Sequence, residues 1–321
     1  MSHFVMEFER PLAELREKLA ELKRMDLASQ PDLAAEIATL EEQLERLRIE
    51  TYENLTPWER VQISRHPERP KMQDYLPALF TDVIELHGDR LYGDDEAIFA
   101  GLATIDGRRC VVLGHRKGKT TKENIRRNFG SPHPEGYRKA MRAMRLADKF
   151  GLPIVSFIDT QGAFPGIEAE ERGVAWAIAE SLALLSGLRV PVVVVGIGEG
   201  GSGGALAIGF GDRLIMLENA YYSVITPEAC GSILFKDSAH APQAAECLKM
   251  TAEDLLGFGI VDEIVPEPLG GAHTDAAAVM ADVHGRVSSA LETLCSRDSG
   301  ELVEARYRRL RSIGVWDEGT G

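Results

Sequence analysis

Two segments of the sequence share one plan, and this repetition limits the folds open to the chain. Each begins with an apolar run typical of a buried strand, continues into a glycine-containing turn, and ends in a helical stretch. They occupy residues 154–166 and 192–206. A glycine turn at the start of a helix leaves backbone N–H groups free, so an anion or a developing oxyanion can bind there. The pattern therefore predicts an enzyme subunit with an anion site near residues 198–204.

Apolar and helical stretches alternate through the rest of the chain beyond about residue 70. Strands are predicted at residues 97–105, 110–114, 154–158, 192–197, 213–217 and 260–265. Helices are predicted at residues 75–86, 136–150, 170–186, 203–210 and 241–256. Strands that alternate with helices indicate an α/β fold.

The first 70 residues differ from the rest in composition. Leucines recur in a heptad rhythm between residues 12 and 49, interrupted at Pro31 and Asp32. Proline is tolerated at the first position of a helix and aspartate suits its first turn, so a second helix should begin there. We predict an antiparallel helical hairpin and connector over residues 1–70, and a catalytic domain over 71–321. The sequence leaves two roles open for the hairpin: it could pack on the domain of its own chain, or it could bind a partner.

Charge and composition exclude several classes of protein. The formal net charge is −14, which argues against bulk attraction to nucleic acid or to an anionic membrane. No segment reaches the roughly 18 uncharged apolar residues of a membrane helix, and the N-terminus lacks the apolar core of a leader. The four cysteines lie far apart, without a CxxC pair. We expect a cytoplasmic protein with reduced thiols and no metal of its own.

The glycine-rich turn also fits the dinucleotide-binding pattern of NAD-dependent dehydrogenases. The matching residues are Gly196, Gly198 and Gly201, which follow a strand and precede a helix. Glycine continues through Gly203 and Gly204, beyond what a pyrophosphate turn requires, and the motif lies deep in the domain instead of opening it. A dehydrogenase is one alternative function.

A second alternative is a serine hydrolase. Gly200, Ser202 and Gly204 match the nucleophile elbow, in which a strained turn presents a serine to a histidine base. The neighbouring glycines favour close approach to the backbone over display of one side chain, which also suits a structural serine. The histidines available downstream as a base are His240, His273 and His284.

A basic run follows the strand predicted at residues 110–114, and it stands out in so acidic a chain. Its spacing does not fit a P-loop, because only three residues separate its glycines where that motif has four. Basic side chains at the end of a strand can clamp ligand phosphates or form a solvated face, and the sequence leaves both open. The run comprises Arg116, Lys117, Lys119, Lys122, Arg126 and Arg127.

Several strings are specific enough to compare with known proteins: GHRKG (114–118), IRRNFG (125–130), PEGYRKA (134–140), IDT (158–160), GA (162–163), PG (165–166), AEERG (169–173), IGEGGSGGAL (197–206), YSVI (222–225) and PEPLGGAH (266–273). Together they resemble the alpha subunits of bacterial acetyl-CoA carboxylase carboxyltransferases. The similarity covers nearly the whole chain, including the helical arm. Gln161 departs from it, since a proline is expected after Asp-Thr, and Phe164 stands where tyrosine is common.

The resemblance implies a crotonase-like fold of repeated β-β-α units, working as an α2β2 complex with a beta subunit. Such a complex transfers a carboxyl group from carboxybiotin, held by the biotin carboxyl carrier protein, to acetyl-CoA, giving malonyl-CoA for fatty acid biosynthesis. Biotin carboxylase completes the full enzyme. The family's zinc and most of its CoA thioester site belong to the beta subunit, which agrees with the lack of CxxC pairs here.

The resemblance also suggests roles for the glycine turns. The amides of Gly203 and Gly204 are expected to form an oxyanion hole for biotin, because glycine lets a ligand oxygen lie against the backbone. Phe164 would form an apolar wall of the biotin pocket. The other residues expected to bind substrate are Gly162, Ala163, Gly200, Gly201 and Ser202. The basic run would then contact the phosphates of CoA, the carrier protein, or only the acidic surface of this chain.

Overall fold

The computed structural model describes residues 4–25 and 31–314, with the side chains of residues 31 and 32 left out. In this part of the chain eight strands form one mixed sheet. The strands are β1 (Thr81–Glu85), β2 (Ile98–Ile105), β3 (Arg108–His115), β4 (Ile154–Thr160), β5 (Val192–Gly201), β6 (Arg213–Leu217), β7 (Tyr221–Ser223) and β8 (Glu263–Val265).

Helices cover both ends of the described chain and the connections between strands. They are α1 (Arg10–Leu22), α2 (Pro31–Glu53), α3 (Pro57–Ser64), α4 (Met72–Leu79), α5 (Thr121–Arg126), α6 (Pro134–Phe150), α7 (Ile167–Glu171), α8 (Val174–Gly187), α9 (Ser202–Leu206), α10 (Pro227–Phe235), α11 (Ala241–Leu248), α12 (Ala252–Gly257), α13 (Ala276–Cys295) and α14 (Ser299–Arg311). No helix among the described residues combines the length and the apolar character needed to cross a bilayer.

The sheet order is β1-β2-β3-β4-β5-β6-β8, and β7 pairs with β5. Strands β1 to β3 pair antiparallel, whereas β3, β4, β5, β6 and β8 run parallel. Strands β4 and β5 are buried along their whole length, as expected for central strands covered by helices. The predicted α/β fold is confirmed. The carboxyl ends of β3, β4 and β5 meet at one edge, where ligands bind in open α/β sheets.

The predicted helical hairpin is also confirmed. Helices α1 and α2 pack through Leu19, Leu33, Ile37 and Leu40, and α2 begins at Pro31 as predicted. The rest of the predicted turn, residues 26–30, lies outside the described residues. A second apolar cluster that includes Leu12, Tyr52 and Ile63 joins the hairpin to α3, and the Arg48 guanidinium donates to the Leu269 carbonyl at 3.0 Å. The arm therefore contacts its own chain. The division at residue 70 remains a prediction.

Several predicted elements were wrong in extent or type. Residues 75–86 are not one helix: α4 ends at Leu79 and β1 follows, because Phe80 is extended and residues 81–85 bond to β2. Helix 170–186 is divided at Gly173, whose φ of +77° breaks the helix. Helix 241–256 is divided at Lys249, which has φ +49°. The last predicted strand shortens to β8. The helix predicted at residues 203–210 ends at Leu206 as α9.

Candidate active site

The glycine-rich segment at the end of β5 is not a loop. Residues Glu199–Gly201 continue the strand and pair with Tyr221–Ser223 of β7, and α9 begins directly at Ser202. The predicted turn over residues 198–204 is therefore mostly strand. The chain changes direction within Ser202, whose φ of +59° is unusual for a residue with a side chain.

Close packing explains most of the glycines in this segment. A Cβ atom would lie 2.4 Å from Asp159 Oδ1 at Gly198, and 2.3 Å from Tyr222 Cδ2 at Gly200. Similar clashes, at 2.1 Å and 2.2 Å, would occur at Gly201 with the Gln161 carbonyl oxygen and at Gly204 with the Ala163 nitrogen. Glycine at 204 is thus required by packing, which corrects the expectation that ligand approach alone requires it there.

Gly203 is the exception. A Cβ atom there would meet only Ile178, at 3.5 Å and 3.7 Å, which are ordinary contact distances. The residue is half-buried, between the exposed Ser202 and the buried Gly204. The first amides of a helix have no acceptor within the helix, so those of Ser202, Gly203 and Gly204 lack intrahelical partners. Packing within the described chain gives no reason for a glycine at 203.

The first glycine turn lies directly against the second. Gly162 is buried with φ +149°, and its backbone N–H donates to Thr160 Oγ1 at 3.1 Å. A Cβ atom at Gly162 would lie 3.8 Å from the Ser202 Cβ. Phe164 stacks on His133 with ring centroids 4.3 Å apart, and both Ala163 and Phe164 are half-buried. The structure thus brings the predicted residues of both turns together.

A buried charge network ties the ends of β3, β4 and β5, and the sequence analysis missed most of it. Lys117 Nζ lies 2.7 Å from both Asp159 Oδ1 and Glu199 Oε1. Glu199 also accepts from Arg65 Nε and from the Tyr221 hydroxyl, each at 2.7 Å. Burial would raise the pKa of Glu199, but Lys117 and Arg65 more than offset this and hold it at about 2. The only sequence signal was a charged residue near each strand end.

A cavity of about 720 Å³ opens above this network. Gln161, the residue that departs from the expected proline, is exposed on its wall. The cavity combines cationic groups with amide and hydroxyl groups, as a polar ligand requires. The lining includes Arg65, Lys71, Lys117, Lys119, Asn124, Gln161 and Glu199.

Comparison with known protein families identifies the family of this chain. Residues 5–314 match the family described as acetyl co-enzyme A carboxylase carboxyltransferase-like. The chain belongs to this family. It is 56% identical over 313 residues to the acetyl-coenzyme A carboxylase carboxyl transferase subunit alpha of a Thermus thermophilus strain, covering 98% of this chain and 99% of the relative. The same subunit of a Bacillus velezensis strain is 54% identical, and the match covers 96% of this chain and 95% of the relative.

Solved structures of a transcarboxylase and of a malonate decarboxylase share the fold. A transcarboxylase 12S core superposes with a TM-score of 0.57 at 19% identity, covering 70% of this chain but 41% of that chain. This chain therefore spans about two fifths of the transcarboxylase chain. A subunit of a Pseudomonas malonate decarboxylase hetero-tetramer superposes with a TM-score of 0.56 at 17% identity. The match covers 69% of this chain and 89% of that chain. The crotonase-like fold and the carboxyltransferase assignment are confirmed.

Neither alternative function suits a member of this family with this geometry. Gly196, Gly198 and Gly201 lie within β5, so they form no pyrophosphate loop. The three candidate bases for Ser202 have other neighbours. His240 lies 2.6 Å from Gln243, His273 stacks on His66, and His284 Nε2 lies 3.2 Å from Asp106.

The six residues of the basic run of this carboxyltransferase lie in four different environments. Arg116 and Arg126 face acidic residues of the same chain, Glu85 and Glu96, each at 2.7 Å. Arg127 is buried and donates to the Lys117 carbonyl at 3.1 Å. Lys122 is exposed on α5. The two members that line the cavity are Lys117 and Lys119, the latter paired with Asp74.

Proposed function

We propose that this chain is the alpha subunit of an acetyl-CoA carboxylase carboxyltransferase, acting in the cytoplasm. With a beta subunit it transfers the carboxyl group of carboxybiotin, held on the biotin carboxyl carrier protein, to acetyl-CoA, forming malonyl-CoA. One observation supports this chain's part in the reaction above the others. No packing contact requires a glycine at position 203, and this residue lies among the first amides of α9, which have no acceptor within the helix.

The amides of Gly203 and Gly204 fit the chemical demand of this reaction. When carboxybiotin loses its carboxyl group, negative charge develops on the ureido oxygen. Fixed backbone donors stabilise such charge without reorganising, and each is worth about 3 kcal/mol in the barrier. A side chain at 203 would cover the approach to these donors. The missing side chain therefore fits a ligand oxygen that lies against the backbone.

The neighbouring turn supplies the wall of this pocket. Phe164 is held in place by its stacking on His133, and its amide donates to the Pro132 carbonyl at 3.0 Å. An apolar wall beside the donors excludes water, which strengthens their hydrogen bonds and limits loss of the carboxyl group to hydrolysis. Lys117 and Lys119 line the cavity. Lys117 is held by Asp159 and Glu199, so we assign the contact with a polar ligand or the carrier protein to the exposed Lys119.

Exposed apolar side chains around α9 support a site completed by a second subunit. Trp176 on α8, Leu206 on α9 and Val224 after β7 are 76%, 38% and 77% exposed. Helix α8 contacts α9, and Ser223, next to Val224, pairs with Gly201. Apolar surface of this kind beside a site is typical of a protein interface. We place the beta subunit there, carrying the zinc and most of the CoA site.

Replacing Val224 by aspartate is expected to weaken binding of the beta subunit by at least about 2 kcal/mol, because a charge would be desolvated in the interface. Sedimentation or size-exclusion chromatography of the mixed subunits measures this. Val83→Asp is the control, since Val83 is 39% exposed on the edge strand β1, away from α9. Equal association of the Val224 and Val83 variants would place the interface elsewhere.

Co-purification with a candidate beta subunit tests the proposed function directly. The complex should transfer a carboxyl group between malonyl-CoA and biotin, whereas the isolated chain should not, because half of the site is missing. Covalent labelling of Ser202 by a fluorophosphonate would instead favour the hydrolase. Tight binding of NAD would favour the dehydrogenase.

A further inference from the structure

Side-chain donors from four different elements hold the segment that follows the glycine turn. Helix α9 is only five residues long, and the carbonyl groups after its start lack a regular helical pattern. Ile208 N donates to Ala205 rather than to Gly204, which leaves the Gly204 carbonyl without its i+4 donor. Side chains donate to four carbonyls here: His115 to Gly204, Ser181 to Ala207, Ser156 to Ile208 and Tyr222 to Gly209.

Of these four donors, His115 is the one that reaches the glycine pair itself. It is the last residue of β3, and none of its surface is exposed. Its Nε2 lies 3.2 Å from the Gly204 carbonyl oxygen. The Gly204 carbonyl can only accept, so this hydrogen bond needs the tautomer with the hydrogen on Nε2, and it leaves Nδ1 buried without a partner. Burial lowers the pKa of His115 to about 3, and Lys117 acts in the same direction, so the ring is neutral at physiological pH.

We infer that His115 is a positioning residue that fixes the Gly203 and Gly204 amides by anchoring the Gly204 carbonyl from beneath. The inference rests on the proposed function, because it assigns those amides a role in the reaction. A backbone donor stabilises developing charge only while its direction is fixed, and small displacements reduce its effect. From the other side, Gly204 is held by its contact with Gly162 and Ala163. The pair is thus clamped between β3 and the first glycine turn.

The test compares three variants in the complex with the beta subunit. His115→Met keeps a similar volume but removes the donor, whereas His115→Gln places an amide N–H at a similar distance from the backbone. Ser181→Ala is the matched control, because it removes an equally buried donor, 2.5 Å from the Ala207 carbonyl, farther along the same segment. The measurements are kcat, KM for acetyl-CoA, Tm, and amide hydrogen exchange over residues 202–209.

His115→Met is expected to lower kcat by about tenfold to a hundredfold, while KM for acetyl-CoA stays within about twofold. Exchange should accelerate in this variant at the amides of Ala207, Ile208 and Gly209, which donate to carbonyls of residues 203–206. His115→Gln should restore most of both properties. Ser181→Ala should lower Tm comparably but leave kcat near the wild-type value.

Two results would overturn the inference. One is a wild-type kcat together with wild-type hydrogen exchange in His115→Met. The other is a loss of kcat that is proportional to the loss of Tm, to the same degree in His115→Met and in Ser181→Ala. Failure of the proposed function looks different. In that case the wild-type complex itself transfers no carboxyl group, while hydrogen exchange still reports whether His115 anchors the segment.

Discussion

Replacing Gly203 by valine is expected to lower kcat of the reconstituted complex by about 10²- to 10³-fold, the typical cost of losing one oxyanion donor. The added Cβ would make only ordinary contacts with Ile178, so the fold should survive. The two further methyl groups would cover the approach to the amides of Gly203 and Gly204. Gly203→Ala should act in the same direction with a smaller loss. Steady-state kinetics of carboxyl transfer provide the measurement.

The matched control for this prediction is Gly285→Val. Gly285 is an exposed helical glycine of α13, and a Cβ there would meet nothing within 4 Å. Its variant should keep wild-type kcat. Gly204→Val is unsuitable as a test, because its Cβ would lie 2.2 Å from the Ala163 nitrogen and would displace the backbone. Wild-type turnover by Gly203→Val at unchanged Tm would show that this surface does not face the reaction.

Replacing Lys117 by methionine is expected to lower the free energy of unfolding by about 3–5 kcal/mol, the usual cost of removing one partner of a buried ion pair. Asp159 and Glu199 would both lose the ammonium group that lies 2.7 Å away, and Asp159 would be left with less compensation because Arg65 still pairs with Glu199. Denaturant titration at pH 7 measures the loss. The double variant Lys117→Met, Asp159→Asn should recover part of it, since it also removes the uncompensated charge.

The ion pair between Lys117 and Glu199 also makes the stability of the fold depend on pH. The pKa of Glu199 is lowered to about 2 in the folded chain from an ordinary value near 4.5. The folded state therefore favours the charged form, so this group stabilises the fold fully above about pH 4.5 and loses that contribution as the pH falls toward 2. In Lys117→Met the folded pKa should rise toward its ordinary value. The decline in stability between pH 4.5 and 2 should then be shallower than in the wild type.

The sequence was most informative where local pattern and tertiary packing agree. Strand β6 was predicted with its observed bounds, and α2 begins at the predicted proline, since apolar runs and proline act over a few residues. Residues 81–85 were predicted as helix because their periodicity is ambiguous. Pairing with β2, fixed by partners more than fifteen residues away, decided otherwise.

In the candidate site, too, the sequence predicted local features but not contacts between distant residues. Glycine runs revealed where the backbone must come close to something, but not what it approaches. Only the fold showed that Gly204 contacts another turn, whereas Gly203 does not. The ion pair between Lys117 and Glu199 joins residues 82 positions apart, and His115 reaches Gly204 across 89. No local pattern encodes such pairings, so they could not be predicted from one sequence.

The contact between the two glycine turns also limits how such a protein can be engineered. Gly201 and Gly204 on one turn leave room only for the backbone of Gln161, Gly162 and Ala163 on the other. In a library that varies one turn alone, most substitutions would place a side chain in collision with the backbone of the other turn. Grafting a pocket from a distant relative therefore requires both segments to be exchanged as a single cassette, even though about forty residues separate them in the gene.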